Sequence, residues 1–437
     1  MISNALKKML LGCLMTLPTY CFAADASFDA ASTVWIMISA ILVLIMFIPG
    51  LALFYGGMIR AKNVLSIFSQ FFAVASVVGI LWVAFVYSFV ADTSNMTEGT
   101  LNLNSFVGNL NKVFFAGIND QTLVAGIPEY VLATFGLTFA MITPCIALGG
   151  FAERIKFGAA VLFGALWLTL VYGPLAHMVW GGSGAIMHNW GVLDFAGGTA
   201  VHINSGVAAL VGAIVLGKRR GWPTTAMPPH NLVYTMIGAA LLWAGWFGFN
   251  VGSALAASTT AGLVLLTTMI ATCGGIFGWM LIEKVILKHV TSLGLASGAI
   301  AGLVGITPAA AYVGPLGAIA VGIITSICCF FAVTGLKRKF GFDDALDVFA
   351  LHGIGGMVGC ILTGIFCIPA LGGNQDVNVV NQLIAQASSI LLTVIYCGVF
   401  TFIIMKIIDK TIGLRVSDEA EQRGLDISDH NERAYND

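Results

Sequence analysis

The sequence predicts an all-α, polytopic membrane protein of eleven transmembrane helices, arranged as two inverted five-helix repeats and a final helix. Three observations predict it: an apolar composition, the number and length of the apolar runs, and the alternation of basic residues between them. Hydrophobic residues make up 58% of the 437 and charged residues 9%, with a mean hydropathy of +0.93. A water-soluble chain of this length needs far more charge to cover its surface, so the lipid bilayer is the natural solvent. Lysine and arginine number 20 against 21 aspartate and glutamate, a balance that gives no ground for nucleic-acid binding.

The first residues, 1–23, read as a signal peptide. Lys7 and Lys8 precede an apolar run from Met9 to Leu17, and Cys21-Phe22-Ala23 offers small residues for cleavage. The run is too short for ~30 Å of hydrocarbon, and Pro18 interrupts it. Apolar runs follow at 32–58, 64–90, 129–151, 157–180, 197–217, 231–250, 259–282, 291–308, 312–336, 345–369 and 384–408. Each is long enough to cross at ~1.5 Å per residue. They are continuous rather than alternating, which indicates helices and not barrel strands. The transmembrane region is therefore 24–410, and a charged, solvated tail occupies 411–437.

Basic residues fall in every second connection: Arg60 and Lys62, Arg154 and Lys156, Lys218 to Arg220, Lys284 and Lys288, Lys337 to Lys339, and Lys406 with Lys410. Lys112 is alone in the others. The preference of cytoplasmic loops for Lys and Arg places the amino terminus outside and the tail in the cytoplasm, which an odd number of spans fits. The longest outer connection, 91–128, is a polar loop rich in Asn, Gly and Thr. The cysteines beyond the leader lie in apolar runs without a CxxC pair, so they read as small core residues and give neither a disulfide framework nor a zinc site.

Of seven histidines, only His202 and His352 sit well inside a spanning run. Each follows an aspartate by eight residues (202 − 194 and 352 − 344), and each has a glycine one turn on, Gly206 and Gly356. Eight helical residues climb ~12 Å. The fifth and tenth helices run in opposite directions, so both histidines approach the midplane, from opposite faces. Helices one to five and six to ten then form inverted repeats with a site at their interface. The plainer alternative is two histidines that pack helices, each bonded to a neighbour. Another is a membrane cytochrome, with both imidazoles on a haem, although the neighbouring glycines leave little room for a macrocycle. Intramembrane ionisable residues are functional by default. Asp194 and Asp344 read as helix N-caps, with Asp194 at the outer mouth, where its charge favours an arriving cation.

IPGLALFYGGMIRAKNVLS, GGFAERIKF, AHMVWGG, DFAGGTAVHIN, GWFGFNVGSA, SGAIAGLVGITPA, DVFALHGIGG and GLRVSDEAEQRGLD occur in that order along nearly the whole mature chain. With these motifs the chain resembles the Amt/Mep/Rh ammonium transporters, bacterial Amt type. The resemblance implies a homotrimer with one pore per subunit and neither cofactor, metal nor catalytic residues. It implies an outer ammonium site at Trp180, Ser253 and Phe139, supported from behind by Asp194, and a gate of stacked rings at Phe139 and Phe249. It further implies pore histidines at His202 and His352, with Phe135 and Trp246 beside the path. Phe139 and Phe249 are two of 29 phenylalanines, so their place in the motifs carries the assignment.

The chemistry suits that assignment. A cation over Trp or Phe gains ~0.5–2 kcal/mol, and a serine oxygen accepts an N–H. Sodium and potassium have no such donors. Beyond the mouth an apolar pore penalises charge, so ammonium is expected to lose a proton near the gate and cross as ammonia between neutral histidines whose ring nitrogens alternate as donor and acceptor. The tail resembles the part of the family that binds PII-type signalling proteins, through Arg415, Glu419, Glu421, Arg423, Gly424, Leu425, Asp426 and Tyr435. It departs at Asn431, where a glycine is expected. The segment between Trp180 and Asp194 is a little longer than usual. The rival function is an ammonium sensor or transceptor that signals through the tail. The chain carries no Walker loop, HExxH or nucleophile–base set, so no enzyme is expected.

Overall fold

The computed structural model describes residues 27–435; the expected signal peptide falls outside them. Eleven helices form the body: α1 (Ala30–Met58), α2 (Ala61–Ala91), α3 (Glu129–Phe151), α4 (Phe157–Trp180), α5 (Gly198–Leu216), α6 (Leu232–Gly252), α7 (Thr259–Ile286), α8 (Ser292–Ile306), α9 (Pro315–Phe340), α10 (Phe349–Phe366) and α11 (Val379–Thr411). Ten are long and apolar enough to cross a bilayer, and α8 is a shorter apolar helix. Their ends lie within a few residues of the apolar runs for most spans. The largest difference is at α11, which begins earlier because Asn378 caps it by accepting the Asn381 N–H; α7 and α9 also run on, to Ile286 and Phe340, and α10 begins later, at Phe349.

Between α2 and α3, β1 (Leu123–Val124) and β2 (Ile127–Pro128) form a small antiparallel hairpin. It is the only sheet among the described residues. Helix α1 kinks at Ile48, whose φ of −125° and ψ of 107° leave the helical region ahead of Pro49.

The repeat symmetry is visible in reciprocal contacts. A Cβ on Gly206 of α5 would lie 2.2 Å from the Gly353 nitrogen of α10, and one on Gly356 of α10 would lie 2.9 Å from Ile203 of α5. Shifting 206 and 353 by 150 residues in opposite senses gives 356 and 203, so the two contacts are related by the repeat. Only glycine admits backbones this close. The same symmetry recurs at the helix starts. The Phe195 N–H donates to the Pro308 carbonyl (3.1 Å), and the Ala345 N–H donates to the Gly150 carbonyl (3.0 Å). Each repeat's fifth helix thus begins against the end of the other repeat's third. Both then open with a wider π-helical turn, Gly198–Ile203 and Phe349–Ile354, and each turn carries a histidine.

Helix α11 lies across this pair. Gln386 accepts the Leu193 N–H (2.8 Å) and donates to the Leu193 carbonyl (2.9 Å), which fixes the segment leading into α5.

The tail is folded onto the face that bears the basic loops. Two short helices, α12 (Asp418–Arg423) and α13 (Leu425–His430), pack there. Leu425, Glu421 and Asp426 are buried, in contrast to the solvated tail expected from its charge. Asp426 accepts the Ser66 N–H (2.8 Å) at the start of α2, and the Asn63 side chain accepts the Leu425 N–H (2.9 Å). Lys62 donates to the carbonyls of Glu421 and Gln422, where α12 ends.

Candidate functional site

On the face opposite the basic loops, a cavity of about 430 Å³ opens where α2, α4 and α6 end and α3 begins. Trp180, in the last turn of α4, lines it and donates from Nε1 to the Asp194 carbonyl (3.1 Å). This bond fixes the indole plane. Ser253, just past α6, donates its hydroxyl to the Phe249 carbonyl (2.8 Å). Its oxygen lone pairs remain to accept from a ligand in the cavity. Phe135 and Phe139 close the floor, edge to face at 4.9 Å, and Phe139 meets Trp180 edge-on at 6.2 Å.

Phe139 of α3 and Phe249 of α6 stack at 4.0 Å and 14°, both buried. Behind Phe249 lies the His202 ring at 5.9 Å, which also stacks on Trp246 at 5.3 Å. His202 Nδ1 is 3.2 Å from His352 Nδ1, so one proton lies between them and only one ring donates it. His202 Nε2 is buried without a hydrogen-bond partner among the described residues. Past His352 a narrow gap continues between Phe54, Ile142, Ile146 and Ile300.

Asp194 does not line the cavity. Its Oδ1 accepts the N–H of Gly197 (2.9 Å) and Gly198 (2.6 Å), and its Oδ2 accepts the N–H (2.7 Å) and the hydroxyl of Thr199. These bonds hold the turn that begins α5, and the Asp194 carbonyl in turn holds Trp180. Asp344, its equivalent in the second repeat, accepts the Phe349 N–H (2.8 Å).

The structure therefore brings all nine residues singled out in the sequence onto one axis: Trp180, Ser253, Phe135, Phe139, Phe249, His202, Trp246 and His352 around it, and Asp194 behind its mouth. Two features escaped the sequence reading. Thr307 accepts from Trp246 Nε1 (3.0 Å) and donates to the Leu303 carbonyl; it lies inside a quoted motif, but its partner is 61 residues away. Glu129, with Tyr87 and Lys112, lines the cavity as well; the signal was a lone acid at the start of an apolar run. The direct contact of the two imidazoles removes the cytochrome reading, since no gap between them admits an iron and its macrocycle. Among the described residues, no group of three or more His, Cys, Asp or Glu could hold a metal ion.

The model of the Ammonium Transporter Family matches residues 34–435. The chain belongs to the ammonium transporter family. The "Ammonium transporter" of Bacillus subtilis is 46% identical over 93% of this chain and 98% of its own. That of Aquifex aeolicus is 41% identical over 96% of both chains. Among solved structures, Mep2 of Saccharomyces cerevisiae superposes with a TM-score of 0.81 at 31% identity, covering 90% of this chain and 89% of its own. A protein titled "Sensor Amt Protein" superposes at 0.83 with 25% identity, covering 92% and 98%. As a member of the ammonium transporter family with ten long apolar helices, the chain is a multi-pass membrane protein.

Proposed function

We propose that this transporter gathers ammonium at Trp180, Ser253 and Phe139, strips a proton at the Phe139–Phe249 stack, and passes ammonia along His202 and His352. The observation that carries the reading is the unpartnered His202 Nε2, buried beside the ring stack and in line with His352. A buried polar atom without a partner costs roughly 1–3 kcal/mol, and a passing ammonia supplies the missing bond. The closed stack, at 4.0 Å between centroids, admits nothing until a ring rotates. It also offers no oxygen to a bare metal cation. Ammonium at Trp180 gains from the ring face and from the Ser253 oxygen, and then meets an apolar barrier that favours its neutral form.

The basic loops support a cavity that faces outward and a cytoplasmic tail, and the proposed membrane is the plasma (inner) membrane. A homotrimer, a cleaved leader at 1–23, and a PII-type partner on the docked tail complete the reading. Reconstituted in liposomes, the wild type should give a transient inward current on a jump of external ammonium at fixed sodium and potassium. Accelerated internal alkalinisation without current would mean electroneutral ammonia passage. His352→Ala should lose at least tenfold in conduction or lose its discrimination against other cations; full, selective conduction would remove the histidines from the mechanism.

A second reading has its own observation. The tail is built into the start of α2 through Asp426 and Ser66, as a device that reports occupancy would require. Silence in both liposome assays, with ammonium binding intact, would favour the sensor.

A further inference from the structure

Lys112 is the only lysine or arginine in the connections that reach the cavity face. It is not left in solvent. Its backbone N–H donates to Ser88 Oγ (2.9 Å), and its ammonium group turns into the cavity to pair with Glu129 Oε1. The carboxylate is 3% exposed and also accepts the Tyr87 hydroxyl at 2.7 Å on the same oxygen. Lys112 Nζ lies 5.9 Å from the Tyr87 ring centroid. Oε2 of Glu129 takes no hydrogen bond among the described residues. Glu129, Tyr87 and Lys112 line the cavity together with Trp180 and Ser253.

These contacts define a small cation site already filled by an ammonium group on a tether. A carboxylate oxygen supplies charge, a phenol ring lies beside it, and a second carboxylate oxygen is unused. Nothing in the arrangement distinguishes the ammonium of a lysine from free ammonium. The cavity is also many times larger than a single such ion. The tether keeps Lys112 at high local concentration, so at low substrate its ammonium wins the site.

We infer that Glu129 is a second cation subsite in the vestibule, ahead of Trp180, and that Lys112 is its built-in competitor, setting how strongly the vestibule gathers ammonium or alkylammonium. The inference rests on the reading of the cavity as the ammonium mouth. Its first consequence concerns affinity. Without Lys112 the Glu129 charge is free to hold a mobile cation; without Glu129 the subsite is gone, whichever residue stands at 112. The exchange needs motion of the Lys112 side chain only, because Ser88 and the bond from the Asn111 N–H to Asp92 (2.9 Å) anchor the backbone on either side of the pair.

The test is a double-mutant cycle of wild type, Lys112→Gln, Glu129→Gln and both together. Two readouts are taken: the half-saturating ammonium concentration of the liposome current, and equilibrium binding of ammonium and of methylammonium by calorimetry in detergent. Lys112→Gln should tighten both roughly fivefold, and Glu129→Gln should weaken both roughly fivefold, the size of a partly screened charge pair. The double variant should stay within about twofold of Glu129→Gln, because Lys112 has no carboxylate left to compete for. The inference is overturned if Lys112→Gln leaves binding within about twofold of wild type, or if its effect persists unchanged when Glu129 is already glutamine. Calorimetry keeps the two claims apart: current absent from all four proteins would sink conduction through this mouth, while the binding cycle would still decide the subsite. A misfolded variant would show itself by loss of binding of both ligands together with a lowered thermal midpoint, and Glu129→Asp, which keeps the charge, should then restore the wild-type order.

Discussion

The two ends of the molecule handle buried polarity in opposite ways. Along the axis from Trp180 to His352 the walls are rings, and His202 Nε2 faces them with no partner. At the basic face, four buried charges complete one another. Arg219 donates to both oxygens of Asp343 (2.9 and 2.8 Å) and to Glu153 Oε2 (2.7 Å). Glu153 Oε1 accepts from the Arg60 side chain (2.9 Å) and Asn63 (2.8 Å). Arg154 spends its guanidinium on the carbonyls of Gly217, Ala152, Gly150 and Asp343. Every carboxylate oxygen of Asp343 and Glu153 is bonded in this cluster, which ties four connections and the inverted repeats together. Unpartnered atoms occur elsewhere too, as at Arg60 Nη2 and Asp344 Oδ1; what sets His202 Nε2 apart is its place beside the ring stack and against His352.

The charge cluster is most vulnerable at Arg219. Arg219→Met leaves Asp343 buried with no cationic partner, a loss of about 3–5 kcal/mol for a buried pair cut on one side. The expected outcome is a sharp fall in yield and in thermal midpoint, with Arg219→Met combined with Asp343→Leu recovering most of it. Removing His202 or His352 should leave the midpoint nearly unchanged. Equal thermal losses at both ends would erase the distinction.

Adjacent residues sharpen it. Burial pushes Asp343 up, but the Arg219 bonds and charge outweigh it, and its carboxyl settles below the usual range. Asp344, one residue on, has an Oδ1 without a partner. Burial, with the Asp347 charge adding to it, raises Asp344 to about 6. A carboxyl raised on folding binds its proton more tightly in the folded state. Its stabilisation is therefore full below about pH 4 and is lost as pH rises through about 6. Asp344→Asn keeps an acceptor for the Phe349 N–H, so it should gain on wild type between pH 4 and pH 8. The expected gain is roughly 2–3 kcal/mol, from about two pH units at 1.4 kcal/mol each, read from thermal midpoints at each pH. A difference that does not change with pH would mean that Asp344 is hydrated.

Most of the fold was legible because a bilayer leaves the chain few options: runs of sufficient length must be helices, and loop charges orient them. The equal eight-residue spacings from Asp194 to His202 and from Asp344 to His352, on helices of opposite direction, disclosed the repeats. The aromatic site residues came from motif order and not from physics, since nothing local separates Phe139 and Phe249 from 27 other phenylalanines. Thr307, Glu129 and the docking of the tail were not legible, because each depends on a partner distant in sequence. The tail misled most: its charges suggested solvation, yet Glu421 is buried against Arg415 (2.7 Å) and the Arg220 N–H (2.6 Å).

The smallest test lies in that tail. Asn431 ends α13 at φ 55°, ψ 33°, the left-handed region, which suits the glycine that the resemblance implies and which asparagine also tolerates. It turns the chain so that the Tyr435 hydroxyl meets His230 Nε2 (2.9 Å), while His230 Nδ1 bonds the Ile59 carbonyl (2.8 Å). Alanine at this φ should cost about 1 kcal/mol. Glycine removes the strain but frees the undocked tail, so the two effects nearly cancel, to within about 0.5 kcal/mol. Amide exchange across 425–435 should thus accelerate about fivefold in Asn431→Ala and hardly change in Asn431→Gly. Exchange unaffected by alanine would mean that the Tyr435–His230 contact forms without this turn, and that the tail is held by Asp426 and Leu425 alone.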